Sequence, residues 1–298
     1  MTRLMLPNKR RGPNLNHKKR NRRSIIFYSA LEPERWADGI ASGADMFCLD
    51  MEDSTVPGRK QEAREVCLPL FTKIVERPVV RTLRMNIPRS DDGVRDMLAI
   101  ADLSRAPDGL VIPKVESAEE VQWIAGILSP RHPEMELIVL IETQKGLENV
   151  RSIAGAVPQI STLFLGYADF SGELGSDMSR EALHHLRSRI VLAASEAGID
   201  AMDGPFFEPN DAAGLIEETE TVAAMGFTGK ASYDAQQIPH IHSVFTPDAN
   251  AIDYARRVKS IVEASPTGAA RIDGKSVNKA NVKSADRVLE TAKRRGVI

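Results

Sequence analysis

Glu136-Leu137-Ile138-Val139-Leu140-Ile141-Glu142-Thr143 is an unbroken apolar run held between acidic residues. A half-buried strand alternates polar and apolar residues. A run that is apolar at every step reads instead as a strand covered on both faces, as in a parallel sheet. Outward from it, the same signature recurs at residues 24–30, 45–53, 79–86, 109–114, 161–170, 199–207 and 227–233, making eight runs. Between them lie segments with helical patterning at 59–76, 118–128, 146–156, 180–197 and 211–225. Ser117 with Glu120 forms a capping-box pattern, and Gly198 and Gly226 stand where helix C-caps belong. Eight strand–helix units in about 240 residues predict an α/β fold, the (β/α)8 TIM barrel. A doubly wound open sheet would call for a glycine-rich turn after the first strand. The sequence there is Ser29-Ala30-Leu31-Glu32-Pro33, which has no glycine.

The 39 basic and 41 acidic residues are unevenly placed. Residues 1–23 carry nine Lys/Arg and no acid, which leaves 30 bases against 41 acids, a net of −11, for the remainder. An acidic body argues against a nucleic-acid surface on the barrel. The basic arm is open to three readings: contact with RNA, contact with a phosphorylated substrate, or a solvated tail. No apolar run approaches the roughly 18 residues of a membrane span, and no apolar stretch follows the N-terminal charges as in a secretory signal. Cys48 and Cys67 are not spaced as metal ligands, and Cys48 lies in an apolar run, so a reducing, cytoplasmic setting is expected. Beyond Ala264 the pattern changes: Ser265-Pro266-Thr267-Gly268 reads as a hinge and 281–295 as one basic helix. The expected organisation is a basic arm (1–22), a catalytic barrel (23–264) and a C-terminal lid helix (265–298).

In such a barrel, chemistry sits at the C-terminal ends of the strands. Asp50-Met51-Glu52-Asp53 follows the second run, Arg84-Met85-Asn86 the third, Pro113-Lys114 the fourth, and Glu142-Thr143 the fifth. Tyr167-Ala168-Asp169 ends the sixth, and Met202-Asp203-Gly204 lies in the seventh. One polar strand end means little, because strands emerge into solvent there. Four acids at one mouth (Glu52, Asp53, Glu142 and Asp169) would repel one another unless a cation neutralised them. Oxygen ligands without His or Cys select a hard ion, Mg²⁺ or Mn²⁺, with Glu142 and Asp169 as the expected direct ligands. Arg84 offers a planar fork to a substrate carboxylate or developing enolate oxygen, or an ion pair to Glu52 or Asp53, and both roles can coexist. The six histidines assemble no site, and no Ser–His–Asp order is visible. Lys114 and Lys230 at strand ends raise a Schiff-base aldolase, but dense acids would hold a lysine charged.

Taken in order, the segments resemble the HpcH/HpaI aldolase and citrate lyase β-subunit superfamily, in particular its citrate-lyase-β-like acyl-CoA lyases. The resemblance is carried by Arg23-Ser24, Leu49-Asp50-Met51-Glu52-Asp53-Ser54, Arg84-Met85-Asn86 and Ile112-Pro113-Lys114-Val115-Glu116. It continues through Ile141-Glu142-Thr143, Gly166-Tyr167-Ala168-Asp169-Phe170, Gly226-Phe227-Thr228-Gly229-Lys230 and Phe245-Thr246-Pro247. It implies a Mg²⁺-dependent retro-aldol or Claisen lyase that cleaves or forms a 3-hydroxyacyl-CoA such as malyl-CoA, citramalyl-CoA or citryl-CoA. It further implies that Glu142 and Asp169 bind the metal, that Arg84 stabilises keto-acid or enolate oxygens, and that Glu52 and Asp53 hold metal-bound water and Arg84. By the same resemblance, Gly166 and Asn278 lie beside the substrate and Arg22 and Arg23 meet the CoA phosphates. A homo-oligomer, trimer or hexamer, is implied, with the C-terminal segment reaching over a neighbour's mouth.

Three departures stand out. Ser29-Ala30 replaces the family's Pro-Gly, Asp234-Ala235 replaces His-Pro, and Asn278 replaces the lid's proton-carrying acid. The alternatives are a metal-dependent aldolase acting on free hydroxy-keto acids without CoA, and a non-catalytic scaffold barrel. A scaffold has no need of Glu142, Asp169 and Arg84 together.

Overall fold

The apolar runs form their strands because each is sealed on both sides. The computed structural model describes residues 20–298 except 77, 176 and 178, so most of the basic arm lies outside the described residues. Its strands are β1 (Ser24–Ser29), β2 (Met46–Asp50), β3 (Val80–Arg84), β4 (Gly109–Ile112), β5 (Glu136–Ile141), β6 (Ile160–Leu165), β7 (Asp200–Asp203) and β8 (Gly229–Ser232). Each pairs in parallel with the next, and β8 returns to β1 to close the barrel. The pleat sends alternate side chains to two apolar compartments. Ile25, Phe27, Cys48, Phe164 and Met202 fill the barrel, while Ile26, Phe47, Leu49 and Leu83 meet the surrounding helices.

The helices in chain order are α1 (Trp36–Ala41), α2 (Lys60–Cys67), α3 (Asp91–Ala101), α4 (Ala118–Leu128), α5 (Gln144–Glu148), α6 (Val150–Ala154) and α7 (Tyr167–Leu174). They continue with α8 (Arg180–Ala197), α9 (Ala212–Met225), α10 (Ile238–Val244), α11 (Ala249–Glu263) and α12 (Lys279–Arg295). The Ser117–Glu120 capping box is formed, and Gly198 and Gly226 end their helices at φ 70° and 109°. Helix α2 is shorter than its pattern predicts. Pro69 cannot continue an α-helical ladder, and residues Leu68–Thr72 wind as a tight 3₁₀ turn. The sixth run also divides, with β6 ending at Leu165 and α7 starting at Tyr167. Asp169 therefore stands in the first turn of a helix and not on a strand.

Beyond the barrel the sequence leads to expect one helix, but a hairpin comes first: β9 (Ala269–Ile272) and β10 (Lys275–Asn278). Its two-residue turn, Asp273-Gly274, has positive φ at both positions, 50° and 77°, the geometry that matches the twist of paired strands. Ile272 and Val277 of the hairpin pack with Val258 and Val262 of α11 and Ala285 of α12 in a separate apolar cluster. The far end of α12 returns to the barrel's N-terminal rim, where Arg294 pairs with Asp200 at 3.1 Å and Arg295 donates to Asn21. Among the described residues, no hydrogen bond or ion pair of 265–298 reaches the mouth of its own barrel. None of their helices is long and apolar enough to cross a membrane.

Candidate active site

The mouth is built around one buried carboxylate. Glu142, the residue after β5, is 3% exposed, and the Lys114 backbone N–H donates to its Oε1 at 2.9 Å. To aim that N–H, Lys114 adopts φ 49°, a left-handed conformation that strains a residue carrying a Cβ by about 1 kcal/mol. Gly166 makes room on the other side: a Cβ there would lie 2.5 Å from Glu142 Oε2 and 2.7 Å from its Cβ. Burial first, and the neighbouring Asp169 carboxylate second, push the Glu142 pKa well above the usual carboxylate range.

A cation is the evident relief for this pair, and the nearest one is an ammonium. Lys114 Nζ lies 2.8 Å from Glu52 Oε1 and 3.4 Å from Asp169 Oδ2. Burial alone would lower the lysine's pKa, but hydrogen bonding to Glu52 and the charges of Glu142 and Asp169 outweigh it and hold the pKa above its ordinary value. That charge state opposes a Schiff-base role. Lys230 is also no candidate nucleophile, since it is fully buried between β8 and the helices, 2.8 Å from Asp203 and 2.6 Å from Glu218.

Arg84 is held by three acids. Its fork makes two 2.7 Å bonds to Asp50, its cross-strand neighbour in the β2–β3 register, and its third nitrogen lies 3.3 Å from Glu52 and 3.2 Å from Asp53. Burial would raise the Asp50 pKa, but Arg84 outweighs it and keeps that carboxyl ionised below its usual range. Glu52 is raised by burial, and its Oε2 is buried without a hydrogen-bond partner. Lys60 Nζ donates to the carbonyls of Met51 and Glu52 and fixes the loop that carries these acids.

The donor set fits a hard divalent ion. Glu142 and Asp169 are oxygen donors whose mutual repulsion a cation would remove, and Glu52 Oε2, ion-paired with Arg84 at 3.3 Å but without a hydrogen bond, belongs to the same mouth. Among the described residues, no three His, Cys, Asp or Glu side chains converge as a complete ligand set, so water and substrate must supply the remaining positions.

Comparison with known proteins decides the lineage. The family model described as HpcH/HpaI aldolase/citrate lyase matches residues 23–235, which span the barrel from β1 past β8. The chain belongs to this family. It is 30% identical to the mitochondrial citramalyl-CoA lyase of Homo sapiens over 260 residues, covering 82% of this chain and 76% of that one. It is 33% identical to a citrate lyase subunit beta-like protein of Mycobacterium tuberculosis over 276 residues, covering 90% and 94%. A crystal structure of CitE from the same organism, in complex with magnesium, acetoacetate and coenzyme A, superposes with a TM-score of 0.77 at 29% identity, covering 92% of this chain and 99% of that one. By this kinship the chain is a carbon–carbon lyase.

Within the family frame, Arg84, Glu52, Asp53, Glu142, Asp169 and Gly166 come together at one mouth, as expected. Others do not. Arg22 and Arg23 were expected at the CoA phosphates, but they precede β1 and so lie at the opposite rim. There Arg22 pairs with Glu136 and Asp200, and Arg23 binds Asp45 at 2.8 Å. Asp203, expected to face the mouth, is fully buried against Arg187 and Lys230. Asn278 caps α12, accepting from Ala280 N at 2.9 Å, and touches nothing in its own mouth. Asp50, which holds the Arg84 fork, was given no role from sequence. Asp50 could have been found from the strand register, which sets it opposite Arg84.

Proposed function

We propose that this chain is a Mg²⁺-dependent lyase that cleaves or forms a 3-hydroxyacyl-CoA of the malyl-CoA, citramalyl-CoA or citryl-CoA class. The observation that carries the reading is Glu142, a buried carboxylate beside Asp169, in a mouth whose other wall is Arg84. In this reading Glu142 and Asp169 hold the ion. Bound there, Mg²⁺ would polarise the oxygens of the 2-oxo-acid half as a Lewis acid, an effect worth several kcal/mol. Arg84, fixed by Asp50 and so needing no reorganisation, faces the negative charge that grows as the carbon–carbon bond breaks. Glu52 and Asp53 orient Arg84 and would accept hydrogen bonds from water around a bound ion. Gly166 keeps the space that Glu142 occupies.

The placement of Arg22 and Arg23 at the far rim supports a second reading, an aldolase acting on free hydroxy-keto acids. Segment 265–298, which among the described residues makes no hydrogen bond or ion pair to its own mouth, suits an oligomer in which it covers a neighbour's. One panel separates the readings: malyl-CoA, citramalyl-CoA, citryl-CoA and the free hydroxy acids, each with and without Mg²⁺, followed by release of glyoxylate, pyruvate or oxaloacetate. Mg²⁺-dependent release from a thioester is expected. Release from free acids alone would establish the second reading, and release that ignores chelation would remove the metal from both.

A further inference from the structure

The residue after β8 brings one more polar group into the mouth. The Tyr233 ring lies 5.8 Å from the ring of Phe27, and the Arg84 guanidinium carbon sits 5.4 Å from the centre of that same ring. Phe27 is buried, 7% exposed, and packs across the barrel on Phe164. It is therefore a fixed floor with Arg84 and Tyr233 both set on it. Tyr233 itself is 57% exposed, so its ring is not a core filler, and among the described residues nothing hydrogen-bonds its hydroxyl. The charges that act on that hydroxyl are Arg84, Asp50 and Asp53, all members of the site. Partial burial of the ring first, then Asp50 and Asp53, outweigh the lowering effect of Arg84 and raise the pKa of the phenol, which stays neutral and retains its proton for donation.

We propose that Tyr233 is a catalytic residue whose hydroxyl donates a hydrogen bond to the enolate oxygen formed in this mouth, beside Arg84. The inference rests on the lyase reading above. In cleavage, the hydroxyl proton of the substrate leaves to a base and that oxygen becomes a carbonyl. The bond to the α-carbon breaks, and its electron pair passes into the thioester unit as an enolate. The enolate carbon then takes a proton, so atoms and electrons balance without a further reactant. Tyr233 loses no proton in this sequence. It supplies a neutral donor where charge develops, the arrangement in which one donor typically contributes about 10²-fold or more to kcat.

The test is Tyr233→Phe, which keeps the ring on Phe27 and removes only the hydroxyl, alongside Tyr233→Leu, which removes the wall. On the thioester that wild type cleaves, kcat of Tyr233→Phe should fall by about 10²-fold or more with KM within about twofold, because the bond forms mainly as charge appears. Solvent deuterium exchange into the α-carbon of the acyl-CoA product, which reads enolate formation without carbon–carbon chemistry, should fall by a similar factor. Wild-type kcat and exchange in Tyr233→Phe, with loss only in Tyr233→Leu, would make the residue a packing wall and overturn the proposal. An active wild type with an unaffected Tyr233→Phe removes this inference alone. A wild type inactive on every thioester removes the lyase reading and the inference with it.

Discussion

The two ends of the barrel use the same kinds of residue to opposite purposes. At the N-terminal rim the acids that flank the strand starts are matched with arginines: Asp45 with Arg23, Asp108 with Arg81, Glu136 with Arg20 and Arg22, and Asp200 with Arg22 and Arg294. At the mouth, Asp50, Glu52, Asp53, Glu142 and Asp169 share Arg84 and Lys114. The lower rim is neutralised and closed, and so contributes stability. The mouth is left short of positive charge and is therefore receptive to a cation. Charge count alone separates a structural face from a chemical one, and the helices and strands between them are common to both.

The largest effect that would break this comparison belongs to the mouth. Glu142→Gln should lower Mg²⁺-dependent turnover by at least about 10³-fold, the equivalent of several kcal/mol of Lewis-acid stabilisation. Its melting temperature should hold or rise, because a buried like-charge conflict is removed. Calorimetric titration with Mg²⁺ and a thermal melt check both halves, and an unchanged Mg²⁺ affinity would discard Glu142 as a ligand. The matching change at the lower rim should do the reverse. Glu136→Gln strips a carboxylate from the buried Arg22 and should cost about 3–5 kcal/mol of stability with kcat little altered in the folded fraction. Urea titration reads the loss. Equal losses of stability in the two variants would erase the distinction between the faces.

A smaller effect sharpens the lower rim. His242 Nε2 and the Ser24 hydroxyl share a hydrogen bond at 2.7 Å, and burial brings the histidine pKa down to about 4. The unfolded chain binds this proton near pH 6.5 and the folded chain does not. Stability from this residue is thus complete above pH 6.5, declines as the pH falls, and is lost by pH 4, a total of about 3 kcal/mol. Urea midpoints of wild type and His242→Gln should diverge less at pH 5 than at pH 7.5, while parallel curves would show that His242 does not govern this slope.

The barrel was legible because burial on both faces writes itself as uninterrupted apolar runs, and 136–143 needs no partner to be read. Boundaries were less so. The run 161–170 stays apolar across the change from β6 to α7, since a buried strand and a buried first helical turn look alike over ten residues, and Asp169 was therefore placed on the wrong element. Glu142, Asp169 and Arg84 were expected at one mouth from their places at strand ends, and the barrel brings them together there. Arg22 and Arg23 were misplaced because charge carries no sign of which rim it occupies; that depends on whether a residue precedes or follows its strand. The 269–278 hairpin was missed because its exposed strands show too few apolar residues to reveal a period of two.

Asp200 joins two residues from near opposite ends of the described chain: Arg22, just before the first strand, and Arg294, in the last turn of the last helix. A growing polypeptide offers Arg22 before Asp200 exists and Arg294 long after it. The rim is consequently fastened in two stages, and the second waits on a residue 94 positions after Asp200. Loss of Arg294 would be felt at strand seven, 94 positions away along the sequence.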